Sequence, residues 1–198
     1  MNSPTHTLIA LAAFTKTGQT KRNWAVFIGS LIPDAFIYVC WAWLTFVKGE
    51  SQKRIWSEIY FDAPMQLTAS IFNSIPIYAA LTVLGYIYRK AMWGKIIMFF
   101  ALAALIHIAF DFPVHSEDAY AHFWPISDWR YFSKFSYWDP NHHSHIVSVV
   151  EALIGLGAIF ILWKRFPKKW VQLLLLILIM LYGAILIFRL FLSHNVAG

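Results

Sequence analysis

The chain has 198 residues, 59% of them hydrophobic and 13% charged, with a formal net charge of +6. A soluble domain of this size cannot hide so much apolar surface, so a water-soluble globule is excluded and a bilayer is the natural solvent. The basic residues lie in short clusters between apolar stretches, as in loops facing anionic lipid; with no basic stripe or recognition motif beside them, nucleic acid is not an expected partner.

In chain order, Thr5–Phe14 is apolar but too short to cross a membrane, and reads as an interfacial or half-inserted helix started by Ser3 or Thr5 with Pro4. Its first cations, Lys16, Lys21 and Arg22, follow the apolar stretch. That order is unlike a signal peptide, so the segment is expected in the mature fold. Five stretches approach the ~20 apolar residues a spanning helix needs: Trp24–Val47, Met65–Tyr88, Ile96–Phe112, His145–Trp163 and Trp170–Leu192. The expected fold is an all-α polytopic membrane bundle, one domain over residues 1–198, with about five transmembrane helices and a short N-terminal helix. Pro33 and Pro76 fall inside spans, where neighbouring helices can satisfy the backbone groups they free. Cys40, the only cysteine, allows no intrachain disulfide.

Orientation follows from the basic residues. Ten (Lys16, Lys21, Arg22, Arg89, Lys90, Lys95, Lys164, Arg165, Lys168 and Lys169) collect on one side, against six (Lys48, Lys53, Arg54, Arg130, Lys134 and Arg189) on the other. The positive-inside rule then puts Pro113–Ser144 on the outer face. A connection this long between spans tends to be functional. It holds Trp124, Trp129 and Trp138 with several carboxylates and histidines, and is expected to form a compact cap on the membrane.

Ionisable groups inside spans cost at least ~2.5 kcal/mol each, so each asks for a reason. Asp34 in GSLIPDAF, His107 and Asp111 in HIAFD, and Glu151 in SVVEALIG are the cases here. At ~1.5 Å per residue, Asp34 and His107 lie ~16 and ~18 Å from the inner edges of their spans, and Glu151 ~9 Å in from the outer side. All three depths fall between mid-membrane and the outer leaflet, where His6 can join them. His107, Asp111 and His115 follow an i, i+4, i+8 spacing that stacks them on one helix face, unless Pro113 redirects His115. Asp118 and His122 repeat the spacing, and WDPNHHSH adds Asp139, His142, His143 and His145. Imidazole with carboxylate is the ligand set of zinc and similar divalent ions. Nearly ten candidates allow two or more metals, or one metal with carboxylates supporting it.

Blander readings stand beside this one. An intramembrane Asp–His pair also serves as a proton relay or a structural hydrogen bond, Asp128 can simply pair with Arg130, cap aromatics are commonly interface anchors, and His194 has only a surface role. No GxSxG, Walker or HExxH motif occurs, which disfavours serine or cysteine nucleophiles.

PTHTLIALAAF, GSLIPDAF, HIAFDFPVH, HFWP and SYWDPNHH, spread over residues 4–151, resemble the bacterial membrane-bound metal-dependent hydrolases. Their order is also similar to that of zinc-dependent phospholipase C. The chain departs from the latter in the spacing around His115 and of His145 to Glu151, and in having no counterpart of a mature N-terminal tryptophan ligand. The resemblance implies His6, Asp34, His107 and Asp111 as the leading metal ligands. His115, Asp118, His122, Asp139, His142 and His143 follow as a second tier, with Glu151 as ligand or general base and Asp111 as a catalytic carboxylate. It further implies zinc as the ion, the bacterial inner membrane as location, and hydrolysis of a phosphoester or lipid-like substrate. The competing expectations are a proton-coupled transporter and an accessory protein whose polar cluster only holds helices together.

Overall fold

A computed structural model describes residues 1–195. The described residues are helical, with no strand among them. The helices are α1 (Ser3–Phe14), α2 (Thr20–Ala42), α3 (Gln52–Ser57), α4 (Ala63–Phe72), α5 (Ile75–Ile87), α6 (Met92–Asp111), α7 (Ser144–Arg165) and α8 (Lys169–Asn195). Four segments are long and apolar enough to cross a membrane: Thr20–Val47, Ala63–Ile87, Met92–Val114 and Ser144–Arg165. Large apolar side chains such as Val83, Leu153 and Phe160 point outward from them, as expected where hydrocarbon replaces water. The expected fifth span corresponds to α8, apolar over Lys169–Ala184. The side chains of Arg189 and His194 lie outside the described residues.

The helices meet closely where small residues let backbones approach. A Cβ on Gly29 of α2 would sit 2.2 Å from the Phe100 carbonyl of α6, and one on Gly85 of α5 2.5 Å from the Met98 nitrogen. The short first helix, expected as interfacial or half-inserted, packs into the bundle and brings His6 to the cluster. α1 is packed against α2, α6 and α7, with Thr5, His6 and Ala10 fully buried. Leu8 and Ala12 join a core with Ala152, Ile159, Leu162 and Leu175 from α7 and α8. Arg165 donates to the Leu11 and Thr15 carbonyls and Arg22 to that of Phe14, closing the far end of α1.

The second span is not continuous, contrary to the single helix expected over Met65–Tyr88. It breaks at Asn73–Ser74, because Pro76 has no N–H to carry the helix across and disfavours helical backbone before it. Ser74 restarts the helix by accepting from the Ile77 N–H at 3.2 Å. The cap fills the gap. Ile75 N–H donates to the His122 carbonyl (2.8 Å), Ser74 Oγ to the Trp124 carbonyl (2.5 Å) and His122 Nδ1 to the Asn73 carbonyl (3.0 Å). The cap also folds on itself: Ser133 N–H donates to the His115 carbonyl and Tyr137 N–H to that of Val114.

Candidate metal centre

α6 ends at Asp111, and this end meets the start of α1 and the middle of α2. Asp111 is the hub. Its Oδ1 lies 2.8 Å from His6 Nε2 and 2.5 Å from the Met1 nitrogen, and its Oδ2 3.1 Å from His107 Nε2. Asp34 Oδ1 approaches the same His107 nitrogen at 3.5 Å. The two imidazoles stack, centroids 3.7 Å apart and planes inclined by 11°. Ligand atoms of His6, His107 and Asp111 lie within 4.8 Å of one another, and all three residues are buried.

These residues fit a divalent ion. His107 Nδ1 donates to the Ser30 carbonyl at 2.7 Å, the usual way of fixing a ligating imidazole so that Nε2 faces the metal. His6 Nδ1 is buried without a partner, a cost of about 1–3 kcal/mol in an inert core. Two carboxylates converge on the stacked imidazoles, and the Met1 ammonium already pairs with one of them, Asp111. Nitrogen, nitrogen and oxygen form a borderline donor set of the kind zinc takes. The trio could hold a metal ion.

Other expected site residues divide into those joined to this group and those set apart from it. Although α6 stops at Asp111 and Phe112–Val114 forms a 3-10 turn, His115 still reaches back, with Nε2 3.5 Å from Asp111 Oδ1. Asp118 Oδ2 accepts from His115 Nδ1 at 2.9 Å and from Trp138 Nε1 at 3.0 Å. Burial pulls the His115 pKa down, but Asp111 and Asp118 outweigh it and push it up to about 9. Burial would raise Asp118, yet His115 and Trp138 hold it below the usual carboxylate range.

His122 instead bridges the helix break, and burial lowers its pKa despite the hydrogen bond to Asn73. Asp139 and His142 pair with each other at 2.6 Å in a short turn. His143 sits at the N-terminus of α7 with positive φ, beside Phe135 and His145. Glu151, expected as a ligand or general base, faces the start of α1. Its Oε1 accepts from Asn2 N–H (3.0 Å), Asn2 Nδ2 (2.9 Å) and Thr5 Oγ1 (2.7 Å), and Tyr182 of α8 meets Thr5 at 2.5 Å. The carboxylate thus caps α1 from a neighbouring helix, where a negative group is favoured.

Beside the trio lies a cavity of about 570 Å³, lined by Asp34, Asp111, His115, Glu117 and Asp118 and by seven aromatic residues. Three of these, Trp56, Tyr60 and Phe61, come from the connection between α2 and α4, which sequence reasoning passed over. The aromatic run IWSEIYF was the available signal. Ser3 Oγ, bonded to Asp34 and 2.7 Å from Tyr38, closes the wall on the α1 side.

Fold and site together define a helical membrane-type bundle with a buried histidine–aspartate group able to hold a metal ion. Comparison with protein-family models, curated proteins and solved structures gives no match.

Proposed function

We propose that this chain is a membrane-bound, zinc-dependent hydrolase of a phosphoester or lipid-like substrate, embedded in a bacterial inner membrane with its cap on the outer face. The observation that carries the proposal is the convergence of His6, His107 and Asp111 within 4.8 Å, with Asp111 also lining a 570 Å³ cavity. His6, His107 and Asp111 would hold the ion, which when bound would supply Lewis-acid chemistry and a more acidic water. The chain's own groups supply proton handling. His115 is oriented by Asp118 and lines the cavity, where an imidazole can pass a proton to a leaving oxygen. Asp34 lends negative charge across from Asp111. The orientation rests on the ten-to-six division of lysine and arginine.

The test is elemental analysis of purified full-length protein, followed by hydrolysis of a chromogenic phosphodiester. The expected result is about one or more equivalents of zinc, lost in His107→Ala and Asp111→Asn together with turnover. Protein free of zinc, manganese and iron would sink the proposal. Vesicle uptake sensitive to Asp34→Asn in metal-free protein would then favour the proton-relay alternative.

A further inference from the structure

Between α6 and α7 the chain holds only two short 3-10 turns, yet it does not stay at the ends of the spans. His122 and Trp124 are hydrogen-bonded to the junction of α4 and α5. α4 has 10 residues and α5 has 13. At ~1.5 Å per residue the junction lies ~15 Å from the cap end of the span and ~20 Å from the other. A second helix gives the same depth. Asn73 Nδ2 donates to the Pro33 carbonyl of α2 at 3.2 Å, and Pro33 lies ~15 Å along α2 from Trp43. Trp43 is exposed, as tryptophans at the headgroup level are. Half of a ~30 Å hydrocarbon core is ~15 Å, so this part of the cap reaches the middle of the membrane.

Irregular backbone survives at that depth only where its polar groups are satisfied. The N–H of Ala121 donates to Ser70 Oγ and that of Trp124 to the Ala121 carbonyl, while those of Ile126 and Ser127 share the Phe123 carbonyl. Pro125 has no N–H to place. The side chains match the backbone. No lysine, arginine, aspartate or glutamate lies between Asp118 and Asp128. Ile126 is 79% exposed and Phe132 62%. Beside them Phe112, Phe123, Trp129 and Tyr131 make a continuous aromatic patch, with neighbouring ring centroids 5.1–6.4 Å apart. Charge resumes with Asp128 and Arg130. Arg130 donates to Gln66 near the cap end of α4, where the segment has climbed back towards the headgroups.

We infer that Phe123–Phe132 is a re-entrant segment sunk into one leaflet, and that lipid acyl chains cover its exposed apolar face. Water meets neither that face nor the bonds that close the helix break beneath it. The inference rests on the membrane placement proposed above and uses none of the hydrolase chemistry.

The wild-type full chain is placed in phosphatidylcholine–phosphatidylglycerol nanodiscs doped with a lipid that carries a diazirine near the end of one acyl chain. After irradiation, adducts are mapped by mass spectrometry. They are expected on Phe123–Phe132 and around Leu153 of α7, and absent from Asp139–His143. Leu153 calibrates the depth, being 63% exposed and ~13 Å from the cap end of its helix. Nitroxide labels on Ile126→Cys, Asn141→Cys and Leu153→Cys, each in Cys40→Ser protein, are then read by power-saturation EPR with oxygen and a nickel chelate in the same discs. The Ile126 label is expected to match that at Leu153, open to oxygen and without the nickel access that Asn141 keeps. Nickel access at Ile126 equal to that at Asn141, or a wild-type segment without adducts, would overturn the inference in favour of a cap lying on the surface. A label at Ile126 closed to both reagents and broadened by a neighbouring spin would overturn it in favour of a second copy of the chain. Nickel access at Leu153 as well would refute the membrane placement itself, whereas access at Ile126 alone refutes only the inference.

Discussion

Glu151→Ala is expected to weaken metal binding although Glu151 touches no residue of the His6–His107–Asp111 group. The carboxylate accepts three hydrogen bonds from Asn2 and Thr5 and so fixes the first turn of α1, which carries His6. Polar contacts between membrane helices measure about 0.6–1.7 kcal/mol each, so three amount to roughly 2–5 kcal/mol. If that energy orders His6, even the lower end corresponds to roughly thirtyfold in zinc affinity. Glu151→Gln keeps an acceptor oxygen for Thr5 and Asn2, and should cost less than tenfold. The assay is zinc competition against a chromophoric chelator, with hydrogen exchange of α1 amides in parallel. A general base at this position behaves differently: Glu151→Gln would keep zinc and lose about 10²–10⁴-fold in turnover. Zinc affinity within twofold of the parent in Glu151→Ala, with unchanged α1 protection, would refute the clamp.

Gly29→Ala should destabilise the bundle by about 1–3 kcal/mol, since the added Cβ meets the Phe100 carbonyl at 2.2 Å. Because it pushes α2 from α6 beside Ser30, which holds His107, zinc affinity should fall with stability in an unfolding titration. In chelator-treated protein, His115 has a folded pKa of about 9 against 6.5 unfolded. A raised pKa gives stability that is full below pH 6.5 and lost as pH rises through about 9. Protection factors across the cap, corrected for the intrinsic rise of exchange with pH, should therefore fall over that interval, and a flat corrected profile would count against the His115–Asp118 pairing. His122→Ala should open the junction of α4 and α5 by removing the bond to the Asn73 carbonyl, at about 1–3 kcal/mol. Proteolysis near Asn73 reads that opening directly.

The spans were legible because hydropathy over twenty residues is a sum that few local details can upset. The metal group was partly legible for a similar reason. His107 and Asp111 share a helix face by spacing alone, and an aspartate such as Asp34 inside a span must find a partner. What spacing could not carry was anything beyond the end of a helix. His122, Asp139, His142 and His143 lie in irregular backbone with no period to aim them, and they disperse into turn and junction roles. Glu151 sits at the expected level and faces Asn2 and Thr5, a direction that depth without rotation about the helix axis does not give. The burial of α1 was hidden by its length, since a ten-residue stretch says nothing about how many neighbours surround it. The break at Asn73 was signalled by Ser74 and Pro76, but hydropathy runs through it unchanged.

That break has a consequence for how the chain is made. The junction's Ile75 N–H and Asn73 carbonyl take their partners from residue 122, and Ser74 from residue 124. Those partners come later in the chain than the whole third span. The two half-helices of the second span must wait at the membrane with open backbone groups, held by water or by the insertion machinery, while the third span is threaded. Biogenesis is therefore out of step with chain order: the second span is finished only after the third is in place and the cap has folded back to seal it.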